Sequence, residues 1–200
     1  MKFFIAPIEF SNVSVLNSIT KDISVIFKDN VSLISLPLNT AAAYSRDRGQ
    51  YFSTQLIADA MKLTPAYDGK VLMLVEFDLF VPVFTYVFGE AQLNGKHSIV
   101  SLCRLHEEFY SGKTNDKLLH ERSLKEILHE LGHNMGLIHC RNWNCVMHSS
   151  QGVEEIDIKG NFYCPECSGI LSNNGYKDTF VKLTPDNDSL SKIIDSDHIT

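Results

Sequence analysis

The sequence has no run of apolar residues approaching the roughly 18 that carry a helix across a bilayer, which argues against a membrane partner. It also lacks an excess of positive charge. Its 18 Lys and Arg face 24 Asp and Glu for a net charge of -6, and no long basic run occurs. That balance argues against a nucleic-acid backbone as the main partner. The opening stretch "MKFFIAPIEF" is too short in apolar residues for a secretory leader, being cut off by Pro7 and Glu9, and is read as a strand. Cysteine is scarce: there are five, an odd number, and four of them lie between 140 and 167. Without a secretory signal, metal thiolates fit this pattern better than disulfides, and the cytoplasm is the expected location. What remains is ordinary for a globular protein: 200 residues, 44% hydrophobic and 21% charged. One domain over 1–200 is expected, with a sheet and a motif-bearing helix in 1–139 and a Cys-rich segment with a polar tail in 140–200.

Periodicity predicts a strand at "KFFIAPI" and a helix over 12–28 capped by Ser11, followed by a strand over 31–38 ending at Pro37. A helix over about 50–63 follows. The continuous apolar run at 71–80 reads as a central strand. "TYVFGEAQL" (85–93), with a Gly-Glu pair in its middle, reads as an edge strand or bulge, paired through an Asn94-Gly95 turn with a strand over 97–105. A long helix from Asn115 then carries Leu119, Leu124, Ile127, Leu128, Leu131 and Met135 on one stripe. The order of elements indicates an α/β or α+β layer.

The segment "HELGHNMGLIHC" (129–140) carries the chemistry. On a helix, His129 and His133 lie one turn apart on the same face and can grip one metal ion, with Glu130 about 100° round, beside the ion and off the ligand axis. Gly136 permits a left-handed turn that brings His139 back as a third nitrogen ligand. Three neutral imidazoles and an open fourth position suit a catalytic zinc, whose bound water is acidified and can lose its proton to Glu130. His-Glu-x-x-His alone would arise in roughly one shuffled sequence in sixty; requiring Gly136 and His139 lowers this to roughly a few in a hundred thousand.

Cys140-x4-Cys145 and Cys164-x2-Cys167, 18 residues apart, resemble a closed four-thiolate structural zinc site. Two zinc ions per chain are therefore expected, with the sites joined at the His139-Cys140 peptide bond. Met147 offers an apolar floor beneath the histidines.

Together with "RNWNCVMHSS" and "FYCPECSGIL", the motif resembles the archaemetzincins, a branch of the metzincin zinc peptidases. The spacing from Met147 to Cys164 is 16 residues, one fewer than the family pattern. The likeness covers most of 1–173 and is strongest over 122–167. It implies a small mixed, twisted sheet over two main helices, with a cleft across the sheet edge. It also implies His129, His133 and His139 as catalytic zinc ligands, Glu130 as general base and acid, Met147 as the Met-turn residue, and Cys140, Cys145, Cys164 and Cys167 around a structural zinc. By the same analogy, Phe88, Gly89, Glu90, Ala91 and Gln92 lie on the substrate side, where an extended peptide can add to an edge strand.

The expected function is a zinc metallopeptidase acting on peptides or proteins. The rival reading is a non-catalytic zinc protein that binds peptides through the same cleft; Glu130 argues against it, because a binding site needs no base there. Cys103 reads as a buried thiol in a strand, and His97, His106, His120 and His148 read as ordinary histidines. Glu154, Glu155 and Asp157 read as a solvated acidic face, and Trp143 as a cover over the structural zinc.

Overall fold

The computed structural model describes residues 1–176. In chain order the elements are β1 (Phe3–Ile8), α1 (Val13–Phe27), β2 (Val31–Leu33), β3 (Tyr44–Ser45), β4 (Gln50–Phe52), α2 (Ser53–Leu63), β5 (Lys70–Val75), β6 (Leu79–Phe80), β7 (Gly89–Ala91), β8 (His97–Ser101), α3 (Glu108–Ser111), α4 (Asp116–Asn134), α5 (Val153–Ile158) and α6 (Pro165–Leu171). The main sheet has the order β2-β1-β5-β8-β7, in which β7 alone runs antiparallel to its neighbour. A second, small sheet has the order β3-β4-β6. The fold is thus a mixed α/β arrangement, as expected.

Every residue of β5 is buried, because both faces of the sheet are covered. Leu72 and Leu74 face a core shared with α1, α4 and the Cys-rich segment, whereas Met73 and Val75 face a second core made with α2 through Leu56, Ile57 and Ala60. The helices therefore lie on two faces. The expectation of a sheet over two main helices holds for α1 and α4, and α2 closes the other side. Among the described residues no helix is long and apolar enough to cross a membrane.

Several expected elements are shorter than the apolar pattern suggested. Asn12, not Ser11, caps α1 by accepting from the Val15 amide, and Ser11 instead bonds Glu76. Only Val31–Leu33 of the 31–38 strand is paired in a sheet. Ile34, Leu36 and Leu38 beyond it pack against the α2 core. Gln50–Phe52 forms β4, so the helix expected from 50 begins at Ser53. The run 71–80 breaks after Val75, and Leu79–Phe80 joins the other sheet. Cys103 lies in a 3-10 turn (Cys103–Leu105) past the end of β8 and is only partly buried. The tail beyond 184 lies outside the described residues.

Candidate functional site

The side chain of Asn115 accepts from the Leu118 amide and starts α4, so the long helix expected from this residue forms. The helix ends in a Schellman arrangement: Leu137 N–H donates to Gly132 O, Gly136 N–H donates to His133 O, and Gly136 has φ +93°. The left-handed turn that the spacing required is present, and it returns His139 toward the helix. The ligating atoms of His129, His133 and His139 all lie within 4.8 Å of one another.

The hydrogen bonds of these rings define their tautomers. His129 Nδ1 lies 2.9 Å from Val146 O and His133 Nδ1 lies 2.8 Å from Leu137 O. A carbonyl only accepts, so each Nδ1 carries the proton and each Nε2 presents a lone pair. The two Nε2 atoms face each other at 3.1 Å. Burial lowers the pKa of both rings, and that of His139 as well, which disfavours a second proton. Facing lone pairs repel unless a cation lies between them. A tetrahedral zinc with Zn–N of about 2.0–2.1 Å separates its nitrogens by about 3.3 Å, close to the observed spacing. The donor set fits zinc.

Glu130 is 5% exposed, and burial, followed by the nearby Glu126 carboxylate, holds its carboxyl well above the usual range. It lies under β7. A Cβ built on Gly89 would approach Glu130 Oε1 to 2.7 Å, so the edge strand crosses directly over this carboxylate. Along that strand Phe88 points into the core and Gly89 adjoins Glu130. The Glu90 carboxylate is engaged by Ser53 and Thr54 at the start of α2, at 2.5 and 2.8 Å. Gln92 turns its side chain to His97 and Met61. The Glu90 and Gln92 side chains are thus engaged within the fold.

The four cysteine sulfurs form a second cluster within 4.8 Å. Cys140 and Cys164 are 3.8 Å apart, as are Cys145 and Cys167. A disulfide needs about 2.05 Å. A tetrahedron with Zn–S of about 2.3 Å has edges of about 3.8 Å. The hydrogen bond with the Cys167 thiol pushes Cys145 down to about 5 and pushes Cys167 up, so the pair favours one thiolate, on Cys145.

The Cys-rich segment is joined to α4 at several points. Val146 O orients His129, the Tyr163 hydroxyl donates to Leu128 O at 2.7 Å, and Lys159 pairs with Glu126 at 2.8 Å. Met147 is fully buried against the helix at Gly132, where a Cβ would come within 2.3 Å of its Sδ. Gly132 is thus the residue that lets Met147 pack this closely against α4. The sequence does not point to these roles of Gly132, Tyr163, Glu126 and Lys159. Only Gly132 carried a signal, as a helix-interior glycine with a destabilising propensity and no other purpose.

Three further histidines have other partners. His97 is buried between Thr64 and Gln92, and His120 lies 2.7 Å from Asp22. His148 bonds Cys140 O and carries the Trp143 ring at a centroid distance of 4.0 Å. Trp143 itself is 56% exposed, and its ring is tilted by 38° to this histidine. Asp157 of the acidic cluster pairs with the buried Arg122.

The family model described as Peptidase family M54 matches residues 10–173. The archaemetzincin of Methanocaldococcus jannaschii is 36% identical over 177 residues, covering 88% of this chain and 95% of that one. The crystal structure of archaemetzincin from Methanopyrus kandleri is similar with a TM-score of 0.70 and 31% identity, over 87% of this chain and 94% of the other. That of the Archaeoglobus fulgidus protein, complexed with malonate, has a TM-score of 0.73 at 29% identity and covers 85% and 99%. The chain belongs to peptidase family M54, the archaemetzincins, and is a zinc metallopeptidase.

Proposed function

We propose that this protein hydrolyses peptide bonds at a zinc held by His129, His133 and His139, with Glu130 as the general base. The observation that carries the reading is the pair of facing, unprotonated Nε2 atoms 3.1 Å apart, with a buried carboxylate on the same helix and an edge strand above it. When bound there, the ion supplies Lewis-acid polarisation of the substrate carbonyl and acidifies the attacking water. Glu130 takes the proton from that water and passes it to the leaving amine. Val146 O and Leu137 O hold the first two rings in the ligating tautomer, as metal-bound histidines require. Residues 88–92 accept an extended substrate, chiefly through the backbone of β7.

Cys140, Cys145, Cys164 and Cys167 hold a second, structural zinc, giving two ions per chain, and Met147 is the apolar floor. The whole chain works as one catalytic domain, because the Cys-rich segment shares its core with α1 and α4. The substrates are peptides or proteins, and the cytoplasm is the setting in which the thiolates stay reduced.

The test is a side-by-side measurement on Glu130→Gln and His133→Ala. Glu130→Gln keeps both zinc ions and the fold while peptide-library cleavage falls by roughly 10²–10⁴-fold. His133→Ala loses the catalytic ion itself. Cleavage by Glu130→Gln at the wild-type rate removes Glu130 as the base.

A further inference from the structure

Lys159 and Glu126 form an ion pair in the interior, 1% and 5% exposed at the side chain, with Nζ 2.8 Å from Oε1. Neither residue belongs to a motif. A buried pair of this kind is weak support for stability, since removing two charges from water costs about as much as their attraction returns. Its position is more informative. Glu126 lies on α4 one turn before Glu130 and three residues before His129. Lys159 follows α5, and its ammonium also donates to His148 O at 3.3 Å, the carbonyl directly after Met147. His148 in turn bonds Cys140 O through Nδ1 at 3.0 Å, and the Cys140 amide bonds Met147 O at 2.9 Å. The pair thus connects three parts: the helix that carries His129 and His133, the turn whose Val146 O orients His129, and the strand of chain that presents His139.

We propose that Lys159 is a positioning residue of the histidine site, its ammonium spanning Glu126 and the His148 carbonyl so that helix α4 and the 145–148 turn are held at one separation. This rests on the reading of His129, His133 and His139 as the catalytic metal ligands. An apolar residue fills the same volume but fixes no distance, because packing contacts are non-directional. An ammonium with a carboxylate on one side and a carbonyl on the other tolerates little displacement of either wall, since a buried charge that loses a partner is costly.

The test uses cobalt(II) in the histidine site, with zinc retained in the four-thiolate site, and reads the visible absorption bands, the cobalt affinity and the melting temperature. Lys159→Met alone leaves Glu126 buried and unpaired and is expected to destabilise the fold. Glu126→Leu/Lys159→Met removes both charges together and is expected to fold close to the wild-type stability. In that double variant we expect cobalt to bind about 10–100-fold more weakly, the range seen when supporting groups behind metal ligands are removed, with shifted and broadened bands. Lys159→Arg keeps the charge pair but substitutes a planar fork for a point donor, and is expected to fold with displaced bands. Wild-type affinity and bands in every variant that folds overturn the positioning role and leave the pair as core filling. A wild-type protein that takes up cobalt only at the thiolates, shown by sulfur charge-transfer bands alone, overturns the three-histidine reading itself and the proposal with it.

Discussion

Gly89 on the edge strand and Glu130 on α4 touch through the space where a side chain would be. A Cβ at Gly89 would lie 2.7 Å from Glu130 Oε1 and 2.8 Å from the backbone oxygen of Ile99. The carboxylate can swing aside, but the β8 backbone cannot. Gly89→Ala is expected to push β7 away from β8 and turn Glu130 out of place, costing about 1–3 kcal/mol of stability by overpacking. Peptide cleavage falls while zinc content stays at the wild-type level. Full cleavage by a folded Gly89→Ala protein contradicts this.

Gly132→Ala sets two known effects against each other. Alanine gains about 1 kcal/mol over glycine inside a helix. A Cβ 2.3 Å from Met147 Sδ and 3.1 Å from the Tyr163 ring gives overpacking of about 1–3 kcal/mol. Overpacking wins, so the melting temperature falls, and occupancy of the histidine site falls with it. Thermal unfolding paired with zinc analysis decides the sign.

The two ligand clusters predict two zinc ions per chain with different resistance to chelators. The ion among the histidines, one of which is exposed, leaves first and costs little secondary structure. The ion among thiolates, three of which are buried, leaves last and takes the fold with it. One ion per chain, with disulfides found by mass spectrometry, refutes this.

Cys164→Ser is expected to lower both the melting temperature and the occupancy of the histidine site, although Cys164 is not one of its ligands. Cys140 would lose its neighbour at 3.8 Å, and His139 is covalently next to Cys140. Unchanged melting with full occupancy of the histidine site removes the coupling.

The pairing of His120 with Asp22 makes stability depend on pH. The contact with the Asp22 carboxylate raises the His120 pKa against the opposing effect of burial. A histidine whose folded pKa lies above its unfolded value of about 6.5 stabilises fully below 6.5, and the contribution is lost as pH rises through the folded value. The wild type should therefore lose its melting-temperature advantage over His120→Gln as pH rises above the unfolded value of about 6.5. A difference that stays constant with pH excludes the linkage.

Much of this was legible in the chain where local signals and tertiary contacts agree. Asn115, the apolar stripe, Gly136 and the His spacing fixed α4 and its return turn, and the Asn94-Gly95 turn fixed the β7–β8 pairing. Boundaries failed where one apolar run serves two partners, as at 71–80, which passes from the main sheet to the small one after Val75. Side-chain direction on the edge strand was also hidden. The Glu90 carboxylate is held by Ser53 and Thr54, which are distant in sequence and give no local signal beside it. Lys159 left no trace, because a lone lysine in a polar stretch reads as solvent-facing until the fold buries it.

The β7–β8 hairpin is fastened to the end of α4. Lys70 donates to both Gly95 O and Asn134 O, the Asn134 side-chain amide donates to Gln92 O and His97 O, and the Asn94 amide donates to His133 O. The rim that would register a peptide is therefore tied directly to the helix that would hold the metal. The segment after Met147 meets this rim through the Tyr86 hydroxyl, which donates to Gln151 O. For a peptide docked on this rim, the height of its backbone above Glu130 would be set at folding, before it arrives.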